Sequence, residues 1–345
     1  MNKSPRIVGF GDFLLRLSPP GYQRLVQASS FETYYTGAEA NVCASLAVMG
    51  VDAAFVTRVP ENPIADAGLG ELRKLGVDVS SVVRGGDRLG VFYLEKGASQ
   101  RPSLCVYDRM DSGVTTARRS DFDWPRILRG ATHFHFTGIT AGLGGELPRI
   151  LEDACRAATR LGCEISCDLN YRSKLWSVAD AAKTMPRLVK YADHLIAGAW
   201  DAKNILGIKT VEGDAVENSR RLIGKYPRLK AVASTFRTAP SASDNSWSAM
   251  LFKDGRAYRS REYDLHLVDR VGGGDSFAAG LLFALARDLG PQATIDYATA
   301  ASCLKHAIEK DVNLATSDEV VALATGETPI APGGAPLAAD FKKGK

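Results

Sequence analysis

The chain opens on an almost unbroken apolar run, Arg6-Ile-Val-Gly-Phe-Gly-Asp12, which predicts a buried strand ending in Gly-Asp. Residues 14–18 alternate apolar and polar and predict a short, half-exposed strand that Pro19-Pro20-Gly21 breaks. A helix is predicted over 42–49, closed by Gly50, then a strand over 53–58. A second helix starts at Asn62-Pro63, runs to about residue 75 and stops at Gly76. Two β-rich pieces, 90–95 and 104–109, are joined by 96–102 as a hairpin. From residue 131 short apolar runs alternate with helical patterns. Strands are predicted over 133–136, 164–169, 194–197 and 230–233, and helices over 146–161, 178–191, 201–206 and 215–225. Such alternation predicts a parallel sheet with helices on both faces, and a ligand beyond the carboxyl ends of its strands. Residues 239–248 are polar and turn-rich, and 247–252 with 257–261 form a second hairpin. A helix follows Asp275, with Phe277, Leu281, Leu282 and Leu285 on its apolar positions, and an amphipathic helix is expected over 292–308. The tail from residue 325 is rich in Gly, Pro and Ala, and disorder is expected over 326–345. No internal repeat is present.

Composition narrows the classes. Of 345 residues 45% are hydrophobic and 24% charged, the profile of an ordinary globular chain. The net charge of +4 is small and its basic residues are scattered, so neither nucleic acid nor a membrane surface is an expected partner. No apolar run reaches membrane-spanning length, and the N-terminus carries no secretory leader, so a cytoplasmic location is expected. The six cysteines, at 43, 105, 155, 163, 167 and 303, make no C-x-x-C pair and read as free thiols. His133 and His135 alternate on one strand and read as structural rather than as half of a metal site with Cys163 and Cys167.

The stretch from Asp269 to Leu282 carries the candidate chemistry. Gly272, Gly273 and Gly274 precede Asp275, and a helix starts there. Free N–H groups at a helix N-terminus, with the helix dipole, favour an anion, and glycine lets a phosphate approach closely. An acid beside that anion is placed to take a proton from an attacking hydroxyl. Taken alone, the same residues also read as a glycine loop with Asp275 capping its helix. The motif D-x-x-G-G-G-D-S-F-A-A-G resembles the C-terminal signature of the ribokinase-like (PfkB) carbohydrate kinases. Thr36-Gly-Ala-Glu-Ala-Asn-Val42 resembles their N-terminal signature. The resemblance runs from about residue 6 to 325.

It implies a three-layer α/β/α sandwich with a mostly parallel central sheet, in one kinase domain over 1–325. A small β-sheet lid would be drawn from about 13–36 and 88–110. It makes Asp275 the catalytic base and Gly272, Gly273 and Gly274 the anion hole. It carries sugar contacts onto Asp12, Gly37, Asn41, Tyr107, Arg109, Ile139 and Arg172. Nucleotide contacts fall on Ser234, Arg237, Gly272 and Gly274. ATP and Mg²⁺ are the implied cofactors, with Asp201 reaching the metal through water. A homodimer through the lid sheet is a further expectation. Leu15-Arg-Leu-Ser-Pro-Pro-Gly21, Tyr107-x-Arg109, Asp168-Leu-Asn-Tyr-Arg172 and Asp269-Arg270 resemble the 2-keto-3-deoxygluconate kinases in particular. Arg109 and Arg172 suit the carboxylate of a sugar acid. Three departures stand out. Thr36 replaces a hinge glycine, Gly198-Ala-Trp-Asp201 replaces an N-x-x-E segment, and Ser234-Thr-Phe-Arg237 replaces a glycine-rich nucleotide loop. A kinase of a neutral sugar such as fructose, and a sugar-acid sensor with little turnover, are the competing readings.

Overall fold

The computed structural model describes residues 4–326; the tail expected to be disordered lies outside the described residues, apart from Gly326. Six parallel strands form the centre of a nine-stranded sheet. In spatial order they are Asp52–Val56, Arg6–Phe10, His133–Thr137, Glu164–Asp168, His194–Ile196 and Ala231–Thr238. Three antiparallel strands extend the far edge, Asp244–Lys253, Arg256–Arg259 and Tyr263–His266. The chain starts at Arg6–Phe10, places Asp52–Val56 on one side and then returns to place His133–Thr137 on the other. This reversal is a topological switch point, where open α/β sheets leave a crevice.

The pleat explains the layers. Ile7 and Phe55 face the helices Ala38–Val48, Gly273–Ala286 and Pro291–His306. Val8, Phe10 and Phe134 face Leu147–Leu161 and Val178–Val189 on the other side. Successive side chains point to opposite faces, so both faces of the sheet are apolar and both are covered. The helix Gly273–Ala286 is buried almost all round. It packs against Pro291–His306 at Gly280, where an added Cβ would come within 2.9 Å of the Ala298 Cα.

A separate four-stranded sheet stands above the crevice. Its order is Glu32–Thr36, Leu14–Ser18, Gly90–Glu95 and Leu104–Asp108. The hairpin expected across 96–102 is present, and 14–18 joins it in parallel.

Several expectations shift. Leu14–Ser18 is not half-exposed: Arg16 in its middle has 0% exposure, because that face of the strand lies on an internal ion cluster. The first helix begins at Ala38, four residues earlier than its pattern, which puts Asn41 in its first turn. The polar stretch 239–248 enters a long strand from Asp244, paired with Ala231–Thr238 on one side and with Tyr263–His266 on the other, where buried Asn245 and Trp247 alternate with more exposed polar residues. Pro291–His306 is buried on most sides rather than amphipathic, with Lys305 and His306 inside. Ser317–Thr325 is a further helix, capped by Thr316 and Glu319. All six cysteines are free, five of them buried. No helix among the described residues is long and apolar enough to cross a membrane.

Candidate active site

A cavity of about 480 Å³ opens at the switch point, walled above by the small sheet. Asp12 enters it from the end of the first strand, Ile139 from the end of His133–Thr137, and Asp168 and Arg172 from the end of Glu164–Asp168. Leu14, Phe92 and Tyr107 come from the small sheet. Gly272, Gly273, Gly274 and Asp275 close its floor.

The glycines have separate reasons. Gly272 has φ +82° and caps the helix Gly273–Ala286. A Cβ on Gly272 would collide with the Asp311 carbonyl oxygen, and one on Gly273 would meet the His306 ring. A Cβ on Gly274 would meet nothing within 4 Å, so this residue borders open cavity. The Ser276 N–H donates to the Gly272 carbonyl at 2.8 Å. The N–H groups of Gly274 and Asp275 precede that first intrahelical bond and are free to donate to a ligand.

Asp275 is half-buried and accepts a hydrogen bond from Asn41 Nδ2 at 2.8 Å. Thr36 Oγ1 donates to Asn41 Oδ1 at 3.1 Å, which turns the amide NH₂ toward Asp275. The residue that departs from the glycine pattern thus orients the neighbour of the candidate base. Gly37 keeps its glycine because a Cβ would strike the Asp12 carbonyl. Burial pushes the Asp275 carboxyl up to about 6, against the hydrogen bond from Asn41 and the charge of Arg172. Asp168 is pushed up to about 7, first by burial and then by Asp275. Asp12 is raised by burial despite Arg109 at 3.5 Å, and its Oδ1 is buried without a hydrogen-bond partner among the described residues. Such an oxygen suits a hydroxyl donor.

Tyr107 and Arg109 share one side of the hairpin as expected, the guanidinium lying 4.5 Å from the ring centroid. Arg109, however, is already opposed by Asp12. Arg172, Arg237 and Arg270 face the same cavity. Burial, then Arg237 and Arg172, pull Arg270 below its ordinary value. A site that crowds cations against each other is suited to a multiply charged anion.

Two expected site residues lie elsewhere. Ser234 is outside this cavity; its hydroxyl donates to the Ala197 carbonyl at 2.7 Å, and it lines a smaller hollow of about 190 Å³ with Gly198 and Phe236. Asp201 does not line the cavity either. Its Oδ2 accepts the Gly198 N–H at 2.9 Å, so it caps its own short helix, Ala199–Asn204. Among the described residues, no group of three or more His, Cys, Asp or Glu could hold a metal ion. The carboxylates that face the cavity are Asp12, Asp168, Asp275 and Asp311. Asp168 appears in the sequence only within a motif, though its place at a strand end was a usable signal. Asp311 carried none, because it follows a helix in an unpatterned loop.

Known proteins resemble this chain in sequence and fold. The model of the pfkB family of carbohydrate kinases matches residues 4–307. A 2-dehydro-3-deoxygalactonokinase of Haloferax volcanii is 32% identical over 316 residues, covering 91% of this chain and 95% of the relative. The crystal structure of a 2-dehydro-3-deoxygluconokinase from Thermotoga maritima superposes with a TM-score of 0.91 at 48% identity, covering 93% of this chain and 98% of that one. A putative ribokinase II from E. coli in complex with ATP and Mg²⁺ superposes with a TM-score of 0.77 at 17% identity, over 93% of this chain and 99% of that one, a likeness of fold.

Proposed function

The chain belongs to the pfkB family of carbohydrate kinases, and from that premise we propose that it phosphorylates a 2-keto-3-deoxy sugar acid, 2-keto-3-deoxygluconate, on its primary hydroxyl at C6. The observation that carries this reading is the placement of Arg172. It lines the cavity and makes no ion pair among the described residues, while Arg109 is opposed by Asp12. A free guanidinium there suits a substrate carboxylate and has no counterpart on a neutral hexose. The names of the two relatives, one a galactonokinase and one a gluconokinase, support a sugar acid of this class.

Asp12 accepts a sugar hydroxyl through its unpartnered Oδ1, and the small sheet serves as the lid that excludes water. The primary hydroxyl oxygen attacks the γ-phosphorus of ATP, the bond from that phosphorus to the β,γ-bridging oxygen breaks, and ADP leaves. Asp275 takes the hydroxyl proton. The N–H groups of Gly274 and Asp275 hold charge on the transferring group, with Arg270 and Arg237 along the phosphate chain. Asp168 would hold Mg²⁺ carried in with the nucleotide, since a carboxylate destabilised as an anion by burial and by Asp275 gains from a cation. When bound, the ion supplies charge neutralisation on the phosphate oxygens.

ATP turnover against 2-keto-3-deoxygluconate, its galactonate epimer, fructose and ribose tests the reading. Turnover confined to the two keto acids is expected. Turnover of a neutral sugar would discard the acid substrate, and keto-acid binding without turnover would make the chain a sensor.

A further inference from the structure

Below the glycine loop lies a cluster of charges of which only Asp311 also lines the cavity. Arg16 and Lys305 have 0% exposure. Arg16, from the small sheet, pairs with Asp269 at 3.1 Å and with Asp311. Lys305, in the last turn of Pro291–His306, donates from Nζ to the Ile308 carbonyl at 2.8 Å and to the Asp269 carbonyl at 3.4 Å. Asp269 Oδ1 in turn accepts the Val271 N–H at 3.1 Å, and its Oδ2 accepts the Lys310 N–H at 3.3 Å. Lys310 holds φ +71°, a conformation a lysine adopts only when its surroundings enforce it. The Asp311 carbonyl presses against Gly272.

Packing alone does not call for an ammonium here, since a buried charge is costly unless paired and hydrogen-bonded. Burial pulls the Lys305 ammonium down to about 8, against the opposing pull of Asp269 and Asp311. What the charge gains is a tie between two carbonyls. One precedes the glycine turn, and the other starts the strained turn that backs it.

We infer that Lys305 is a positioning residue for phosphoryl transfer, an internal cation that pins the Asp269 carbonyl to the Ile308 carbonyl and so fixes the turn presenting the N–H groups of Gly274 and Asp275. The inference rests on the kinase reading of the same site. Lys305 touches neither sugar nor nucleotide. Its ammonium acts through Asp269 and the turn.

Full-length Lys305→Met keeps the volume and removes the charge, and Lys305→Ala leaves space for a small cation. In both, faster amide exchange confined to residues 269–276 is expected. So is a fall in kcat of about 10²-fold, of the order lost with one oxyanion-hole donor, at nearly constant KM for the sugar. Ammonium chloride, with sodium chloride as the control, should restore part of both properties in Lys305→Ala and neither in Lys305→Met. Wild-type exchange and kcat, with no ammonium added, and a lower unfolding midpoint alone would overturn the inference and make Lys305 merely structural. If neither variant folds, the wild type decides. The groups around Lys305 are Arg16 of the small sheet, Asp269 of the turn, Asp275 of the following helix and Asp311 behind it. As pH rises through about 8 the ammonium is lost, and protection at 269–276 should fall there; unchanged protection would overturn the inference. Because exchange needs no turnover, a wild type inactive on every sugar would sink the kinase reading, while the exchange result would still decide whether Lys305 fixes the turn.

Discussion

Two groups of charged residues flank the glycine loop of this chain and are built oppositely. Arg16, Lys305, Asp269 and Asp311 sit beneath the glycine loop as two cations and two anions, each engaged by another part of the protein. Arg172, Arg237 and Arg270 face the cavity above it without an ion pair to a carboxylate among the described residues, and burial together with the charges of the first two pulls Arg270 below its ordinary value. The buried group has spent its charge on structure. It ties a strand of the small sheet, the glycine turn and the segment after Pro291–His306 into one unit. The open group keeps its charge for a ligand, and Asp275 stands between the two. A charge that is satisfied internally holds a site in shape, and one that is left over defines what the site binds.

The comparison can be broken from the middle outward. Asp275→Asn should lower kcat by about 10³-fold or more while leaving sugar and nucleotide binding near wild type, as measured by steady-state kinetics and calorimetry. A mutant that kept its rate would remove Asp275 as base. Arg16→Met should leave Asp269 and Asp311 short of a cation and cost about 3–5 kcal/mol of stability in denaturant unfolding. Stability unchanged by that substitution would mean that the buried group is ornamental. Arg172→Ala should do the reverse, leaving stability within about 0.5 kcal/mol and raising KM for the sugar acid by about 10-fold, the weight of a charged hydrogen bond. An equal loss with a neutral sugar would sink the carboxylate contact. The smallest effect concerns pH. Asp275 must be ionised to act as base, and burial holds its carboxyl at about 6. The rate should therefore fall below that pH and hold above it until the Lys305 ammonium is lost near 8, and Asn41→Ala, which removes a bond that favours the ionised form of Asp275, should move the acid limb upward.

Much of this was legible in the residues. The strict βαβα alternation after residue 131 predicted the parallel sheet, and Gly272–Asp275 with Thr36–Asn41 pointed to the floor and wall of the cavity. Asp12, Gly37, Asn41, Tyr107, Arg109, Ile139, Arg172 and Arg237 do meet there. Ser234 and Asp201 do not, because one hydrogen-bonds to the neighbouring strand end and the other caps its own helix. Neither outcome can be read from residue type, since a hydroxyl or carboxylate satisfied by nearby backbone looks the same in sequence as one awaiting a ligand. Arg16 shows the same limit. Alternation put it on a solvent face, and only the approach of Asp269 and Asp311, more than 250 residues away, makes burial tolerable.

Local pattern therefore determined the elements and the glycine turn, because helix periodicity, strand alternation and glycine's access to positive φ act over a few residues, and the resemblance of that turn to a family signature singled out the candidate base. The tertiary structure decided which charges are satisfied and which are left over. Pairing depends on distances between segments remote in sequence, and burial fixes how much an unpaired charge costs.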